Sequence, residues 1–284
     1  MAPGWAPARR FTCAPAVAGG CHTGAVLTRL AVSIDLGGSQ VWTLTACLAL
    51  LVALTVGVGT WAGLGQGRAV LTATLRAVAQ LLLVATVIRV IFTTPALAPL
   101  YLVVMVGAAT FTSGRRLRAA AGAMPAAGAA IASGAASTAV IVFATGALDW
   151  TARSVVPFSA QLIGGAMTAT TLAGQRMIDD TAGSWAEVEG WLALGATPRQ
   201  AVLDLGRRAA GRALVPALDQ TRNVGLVVLP GAFVGLLLGG ATPFEAARTQ
   251  LLVLVGLLAA ETVAATAVTT LLARTLALTR PTPS

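Results

Sequence analysis

Three polar side chains interrupt long apolar stretches of this 284-residue sequence. Arg76 and Gln80 are one helical turn apart within the stretch 69–92, and Glu261 lies within the stretch 246–273. Inside a bilayer such side chains are costly unless they are paired or face water, so they commonly mark the path of a substrate or an ion. We therefore predict that Arg76, Gln80 and Glu261 line a translocation path. Two simpler roles stay open for Arg76, which could reach the membrane surface or pair with Glu261.

The composition requires a membrane around these residues. Hydrophobic residues make up 56% of the chain and charged residues only 10%, whereas soluble domains carry roughly 25% charged residues. A membrane-spanning helix needs about 20 mainly apolar residues. We predict an all-α polytopic membrane protein with about seven transmembrane helices within residues 41–280, preceded by a flexible tail over residues 1–40. The predicted spans are 41–64, 69–92, 95–111, 125–148, 155–173, 214–239 and 246–273.

The arginines determine the predicted orientation. Most of the loop arginines fall on the side that holds the polar segment 175–212 and the C-terminus. Because basic loops stay in the cytoplasm, we place this segment and the C-terminus in the cytoplasm and the N-terminus outside. Basic loops also explain the net charge of +9, so we expect no nucleic-acid partner.

The polar segment 175–212 carries signals for two consecutive helices. Residues 184–187 (Ser-Trp-Ala-Glu) have the pattern of a capping box, and Gly195 suits the end of the first helix. Residues 197–200 (Thr-Pro-Arg-Gln) then start a second helix with another capping box and a proline at its first position. One face of the first helix is apolar and comprises Trp185, Val188, Trp191 and Leu192. Such a helix can lie on the membrane surface or insert into a groove on a partner.

Small residues and a proline add candidates for the path. Pro230 interrupts the predicted span 214–239, and broken helices occur in membranes where they line a cavity. Gly231 follows Pro230, and Gly164 lies within the predicted span 155–173. We therefore include Gly164, Pro230 and Gly231 in the predicted path, although glycines also serve close helix packing.

The polar segment resembles a known docking loop. Residues 189–198 are similar to the EAA loop of bacterial ABC importer permeases, in which a glutamate precedes a glycine by six residues, here Glu189 and Gly195. In those permeases the loop docks into the ATP-binding subunit. This sequence departs from the pattern because Gly190 and Trp191 replace the two alanines.

A longer resemblance covers residues 41–275. The sequence resembles the FetB (YbbM) family of ABC transporter permeases, of the iron-export type. The matching runs are 172–176, 194–201, 212–216 and 224–231, together with Arg76 and Gln80. The family often has Asn at the position of Gly165, which weakens the prediction of a polar ligand on that span. The resemblance implies that an ATPase couples to Glu187, Glu189, Trp191, Gly195, Ala196 and Thr197.

The resemblance also implies a function and partners. We expect the permease subunit of an ABC transporter in the bacterial inner (plasma) membrane, working as a homodimer with two separate ATP-binding subunits. The chain has no Lys and therefore no phosphate-binding loop, so ATP and Mg²⁺ would bind the partner and no cofactor is expected here. The expected activity is ATP-driven export of a metal ion, iron first, or of another small solute.

A secondary transporter or channel and a membrane-embedded enzyme are the alternatives to this expectation. A secondary transporter or channel needs no ATPase, and Glu261 within its span could serve it as a proton or cation site. An enzyme is disfavoured, because the single histidine is His22 in the tail and the spans contain no carboxylate pair.

Overall fold

A computed structural model of the protein describes residues 38–276, with side-chain surroundings from residue 41 onward. The predicted tail therefore lies outside the described residues, apart from residues 38–40, which are helical. The helices are α1 (Gly38–Trp61), α2 (Gly67–Thr93), α3 (Ala98–Arg116), α4 (Ala123–Ala144), α5 (Ala152–Gly183), α6 (Trp185–Ala193), α7 (Pro198–Ala201), α8 (Leu203–Ala213), α9 (Val215–Arg222), α10 (Gly231–Leu238) and α11 (Pro243–Leu272), with a 3-10 turn at Pro95–Leu97.

The all-α polytopic class is confirmed. Residues 38–276 form no β-strand, and the only bridge among them is an isolated one between Val224 and Val228. Six of the described helices, α1 to α5 and α11, are long and apolar enough to cross a membrane. Helix α5 continues to Gly183, so the first residues of the predicted polar segment extend this helix.

The predicted span over residues 214–239, which Pro230 was expected to interrupt, consists of two short helices. Helix α9 ends at Arg222 and α10 begins at Gly231. Between them the backbone turns at Gly225, which has a φ of 81° and donates its N–H to the carbonyl of Val228 at 3.0 Å. Pro230 has an extended backbone at the start of α10, and it has no N–H with which to continue a helix. The predicted interruption at Pro230 is therefore confirmed.

The chain divides into two compact units between Val84 and Ala85. The described part of the first unit holds α1 and most of α2, where nearly all side chains are exposed. Gly63 and Gly65, with φ of 68° and 64°, form the turn between these helices. The second unit holds the remaining helices and the buried cores.

Helices α5 and α11 of the second unit run in the same direction. A Cβ added at Gly256 of α11 would contact Phe158 of α5, and one at Gly165 of α5 would contact Glu261 of α11. On both helices the second contact lies nearer the C-terminal end than the first, so the helices are parallel. The chain between α5 and α11 must therefore return along their length, and the broken element α9–α10 makes part of this return.

Small residues allow a close crossing of α4 and α11 in the second unit. A Cβ added to Gly134 of α4 would lie 2.4 Å from the backbone oxygen of Ala260 on α11. Around this crossing a buried cluster joins α3, α4, α5 and α11, with Ile131 and Leu162 fully enclosed. The hydrophobic effect does not drive helices together inside a bilayer. Small residues promote their association there because they let the backbones approach closely.

Candidate functional site

A cavity of about 470 Å³ opens between α5, α9, the start of α10, and α11. Each long helix contributes one face at helical spacing. On α11 this face begins at Gln250 and ends at Glu261, and on α5 it begins at Gln161 and ends at Leu172. The polar side chains of the lining are Gln161, Thr168, Gln220, Gln250 and Glu261. Glu261 therefore supplies the only formal charge among the residues that line the cavity.

Among residues 85–276, Glu261 has no cationic partner. Ion pairs in this range include those of Asp204 with Arg208 and of Asp180 with Arg212, and none involves Glu261. The side chain of Glu261 instead extends beside Gly165, where an added Cβ would lie 2.8 Å from its Oε1 atom. The carboxylate thus occupies space that only a glycine at position 165 leaves open.

A second polar group of the cavity lies nearer the start of α11 than Glu261. The side chain of Gln250 is only 4% exposed, and its Oε1 atom has no hydrogen-bond partner. Pro230 and Gly231, at the start of α10, line the same cavity. A buried amide without a partner is unusual in a folded protein, which makes Gln250 a candidate contact for a bound solute.

The structure brings together four of the six residues predicted for the path. Gly164, Pro230, Gly231 and Glu261 line the cavity. The other two, Arg76 and Gln80, lie on α2 in the first unit, where both side chains are exposed. Their part in a path, and the pairing of Arg76 with Glu261, stay predictions.

Four polar residues that line the cavity were not among the residues predicted for the path. They are Gln161, Thr168, Gln220 and Gln250. Uncharged polar residues are common in apolar helices, so composition alone did not separate them from their neighbours. The spacing of Gln161, Gly164 and Thr168 at three and four residues could have indicated a shared helix face.

The segment of α6 to α8, residues 185–213, adjoins the end of α5. Gly195 has a φ of 87° and ends the first helix in a Schellman motif. In this motif Ala196 donates its N–H to Trp191 and Gly195 donates its N–H to Leu192, both at 3.0 Å. The predicted helix end at Gly195 is confirmed.

The two predicted capping boxes have different outcomes. The box of Thr197 and Gln200 is present, with the Gln200 side chain accepting the Thr197 N–H at 2.8 Å. The box predicted at Ser184 is absent, because the Ser184 side chain makes no capping hydrogen bond. The box is absent because Ser184 directly follows α5. Its N–H continues the hydrogen bonding of that helix and donates to the carbonyl of Asp180 at 2.9 Å.

The predicted apolar face of α6 is divided between the interior and the surface. Val188 is fully buried, and Trp185 and Leu192 pack against the same core. Trp191 is 50% exposed, and Leu194 is 82% exposed. Most of the apolar face is therefore used inside the protein, and the tip of the segment presents Trp191 and Leu194 outward.

An open cleft of about 570 Å³ lies at this tip. Four of the six residues predicted to couple to an ATPase line it, namely Glu187, Trp191, Gly195 and Ala196. The remaining two have local roles: Glu189 accepts the indole N–H of Trp185 at 2.7 Å, and Thr197 caps α7.

A buried core connects this segment to the helices that line the cavity. Val202 and Leu205 of the segment join Met177 of α5 and Leu272 of α11 in one cluster. At the surface Arg212 of α8 forms an ion pair with Asp180 of α5. A displacement of the segment would therefore act directly on α5 and α11.

No group of three or more His, Cys, Asp or Glu side chains that could hold a metal ion occurs among residues 38–276. The cavity has Glu261 as its single acidic side chain. The described part of the chain thus lacks a preformed metal centre with several protein ligands.

The described helices define an all-α, multi-pass membrane protein. The chain belongs to the uncharacterised protein family UPF0014, which matches residues 42–277. The resemblance to the FetB family is confirmed, since relatives include the probable iron export permease protein FetB of Escherichia coli, 32% identical over 63% of this chain and 70% of that protein.

Plant proteins are also similar to this chain. The UPF0014 membrane protein STAR2 of rice is 36% identical over 75% of each chain. The protein ALUMINUM SENSITIVE 3 of Arabidopsis thaliana is 38% identical over 56% of this chain and 58% of that protein. No solved structure matches the chain.

Proposed function

We propose that this protein is the permease subunit of an ABC transporter that exports a small solute, with a metal ion as cargo and iron as the first candidate. One observation carries the proposal. The α6–α8 segment is anchored in a core with α5 and α11, yet it exposes Trp191 and Leu194 at a rigid turn. An exposed aromatic and aliphatic pair beside a cleft is the kind of surface that a protein partner buries.

The proposed partner is a separate ATPase. Without any Lys the chain has no phosphate-binding loop of its own, so ATP and Mg²⁺ would bind the partner. ATP-driven closure of the partner would push on the α6–α8 segment. The shared core would pass this displacement to α5 and α11, which line the cavity together with α9 and α10.

The remaining elements of the proposal concern assembly and orientation. Two permease subunits and two ATPase subunits would form the transporter in a bacterial inner membrane. The arginine distribution supports a cytoplasmic α6–α8 segment and C-terminus, with the N-terminus outside. Iron is suggested by the name of the Escherichia coli relative, and it remains a proposal for this chain.

Transport in inverted membrane vesicles tests the function. Vesicles that contain the permease and its candidate ATPase should accumulate radioactive iron when ATP is added, and vesicles without ATP should not. Cells that lack the protein should hold more iron and be more sensitive to peroxide. Unchanged cellular iron in such cells would contradict the metal cargo.

A secondary transporter or channel is the second candidate, and Glu261 favours it. A carboxylate that lines a cavity without a cationic partner in its unit is typical of ion-coupled transport. Transport that persists after ATP depletion, by a protein that never purifies with an ATPase, would establish this alternative and overturn the ABC proposal.

A further inference from the structure

We propose that the Glu261 carboxylate binds a hydrated divalent cation inside the cavity, and that Gly165 is the positioning residue that keeps this carboxylate available. The inference rests on the proposed transport function and names the chemical class of its cargo. It assigns a specific role to Gly165, which is to leave space for the carboxylate of Glu261.

Glu261 lacks a partner of opposite charge among residues 85–276. Its side chain lines the cavity. A carboxylate in a membrane-spanning helix is costly without a counter-charge. A cation within the cavity would supply that counter-charge while it is bound.

The polar side chains of the cavity offer oxygen ligands. Apart from Glu261, the polar side chains of the cavity are three glutamines and one threonine, and no His or Cys lines it. Oxygen ligands suit hard cations, and Mg²⁺ in particular binds through one or two carboxylates while it keeps several waters. A single carboxylate with few protein ligands also binds weakly, which lets a transported ion leave.

Gln250 is a second polar residue of the cavity without a hydrogen-bond partner for its side-chain oxygen. This oxygen is buried, and the side chain shares the cavity-lining face of α11 with Glu261. At 1.5 Å per residue the two positions are about 16 Å apart along the helix. One ion cannot contact both side chains, so they mark two successive oxygen-bearing positions along the same cavity.

The role of Gly165 follows from its contacts. A Cβ at position 165 would lie 2.8 Å from Oε1 of Glu261 and 2.8 Å from Cδ2 of Leu257. Both atoms are at the ends of flexible side chains, so the helices can stay in place while the carboxylate is displaced. Any residue larger than glycine would therefore move the carboxylate from the position it holds in the cavity.

Gly183 provides a control on the same helix. It is the last residue of α5 and does not line the cavity, and a Cβ there would meet nothing within 4 Å. The same substitution at Gly183 therefore tests for effects of an added methyl group that do not involve Glu261.

The test is Mn²⁺ binding to the purified full-length protein in nanodiscs, measured by the loss of the free-ion electron paramagnetic resonance signal. E261Q should remove one bound ion per chain. G165A should weaken that site at least fivefold, and G183A should bind like the unmodified protein. The thermal unfolding temperature of each variant, recorded in the same nanodiscs, checks that the fold is retained.

A double variant separates positioning from general damage. E261D shortens the side chain by one methylene and should withdraw the carboxylate from its position beside residue 165, so G165A should cost less than twofold in the E261D background. Equal binding by E261Q and the unmodified protein would overturn the cation site. Equal losses in G183A and G165A, or an undiminished loss in the E261D background, would overturn the role of Gly165.

This experiment contains no ATPase and no ATP. A negative result would therefore remove the cation site and leave the coupling to an ATPase untouched. A positive result in a protein that never associates with an ATPase would keep the cation site and overturn the ABC proposal.

Discussion

The cavity and the α6–α8 segment are built by different kinds of interaction. In the segment, short-range signals fix the backbone: Gly195 ends one helix, and Thr197 with Gln200 begins the next. In the cavity, side chains from α5, α9, α10 and α11 meet only because distant helices cross. The difference indicates that the segment forms one rigid part, whereas the shape of the cavity depends on how the helices pack.

The largest effect is expected where the packing of the helices is tightest. Gly134→Ala places a Cβ 2.4 Å from the Ala260 backbone oxygen, and backbone cannot yield as a side chain can. We expect a loss of about 3 kcal/mol in the free energy of unfolding, measured by denaturant unfolding in bicelles. Gly107→Ala, whose Cβ would meet nothing within 4 Å, should leave that free energy nearly unchanged. Equal stability of the two variants would contradict the crossing.

A second comparison separates the interior of α6 from its exposed tip. Val188 is fully buried and Trp191 is 50% exposed. Val188→Ala should destabilise the protein by about 2 kcal/mol through lost burial and a small cavity. Trp191→Ala should leave unfolding unchanged and weaken binding to the ATPase by more than about tenfold, as expected for an aromatic residue central to an interface. Pull-down titrations with the purified ATPase measure the second effect, and unaltered affinity would remove Trp191 from the interface.

A smaller effect is expected at the turn of the segment. Gly195 has a φ of 87°, a conformation that costs a residue with a Cβ roughly 1–2 kcal/mol. Gly195→Ala should therefore destabilise the turn and reduce the transport obtained for each ATP hydrolysed. Gly190, on helix α6 with nothing within 4 Å of an added Cβ, is the control, and Gly190→Ala should keep full coupling. Equal coupling in both variants would show that the turn is not needed for transmission.

The smallest effect is expected at the surface ion pair. Arg212 and Asp180 are 53% and 26% exposed at their side chains, so solvent and salt screen their attraction. Arg212→Gln should lower the free energy of unfolding by less than about 1 kcal/mol, and the difference should shrink at high salt. A larger loss would mean that the pair, rather than the buried core, holds α8 to α5.

The sequence predicted the features that depend on neighbouring residues. The apolar stretches indicated the six long helices, and Gly195 and Thr197 indicated the helix end and start that the structure contains. The cap at Ser184 failed because α5 extends to Gly183, so the residue had no free helix start to cap. The last turns of α5 are polar, so the apolar pattern did not indicate that this helix extends to Gly183.

The features that depend on distant residues were predicted only in part. The membrane cost of a carboxylate indicated Glu261, and the helix break indicated Pro230, and both residues line the cavity. The glutamines that line the cavity were not among the residues predicted for the path, and their shared position became visible only in the structure. The contact between Gly165 and Glu261 joins residues 96 positions apart and became visible only with the crossing of α5 and α11.

The central claim is that the tip of the α6–α8 segment docks an ATPase. A photoreactive amino acid placed at Leu194, which is 82% exposed, should crosslink in living cells to a protein with a Gly-x-x-x-x-Gly-Lys-[Ser/Thr] loop. The same group at Trp150, which is 72% exposed and precedes the other end of α5, should not capture it. Identical products at both positions, or crosslinks from position 194 to lipid alone, would contradict the claim.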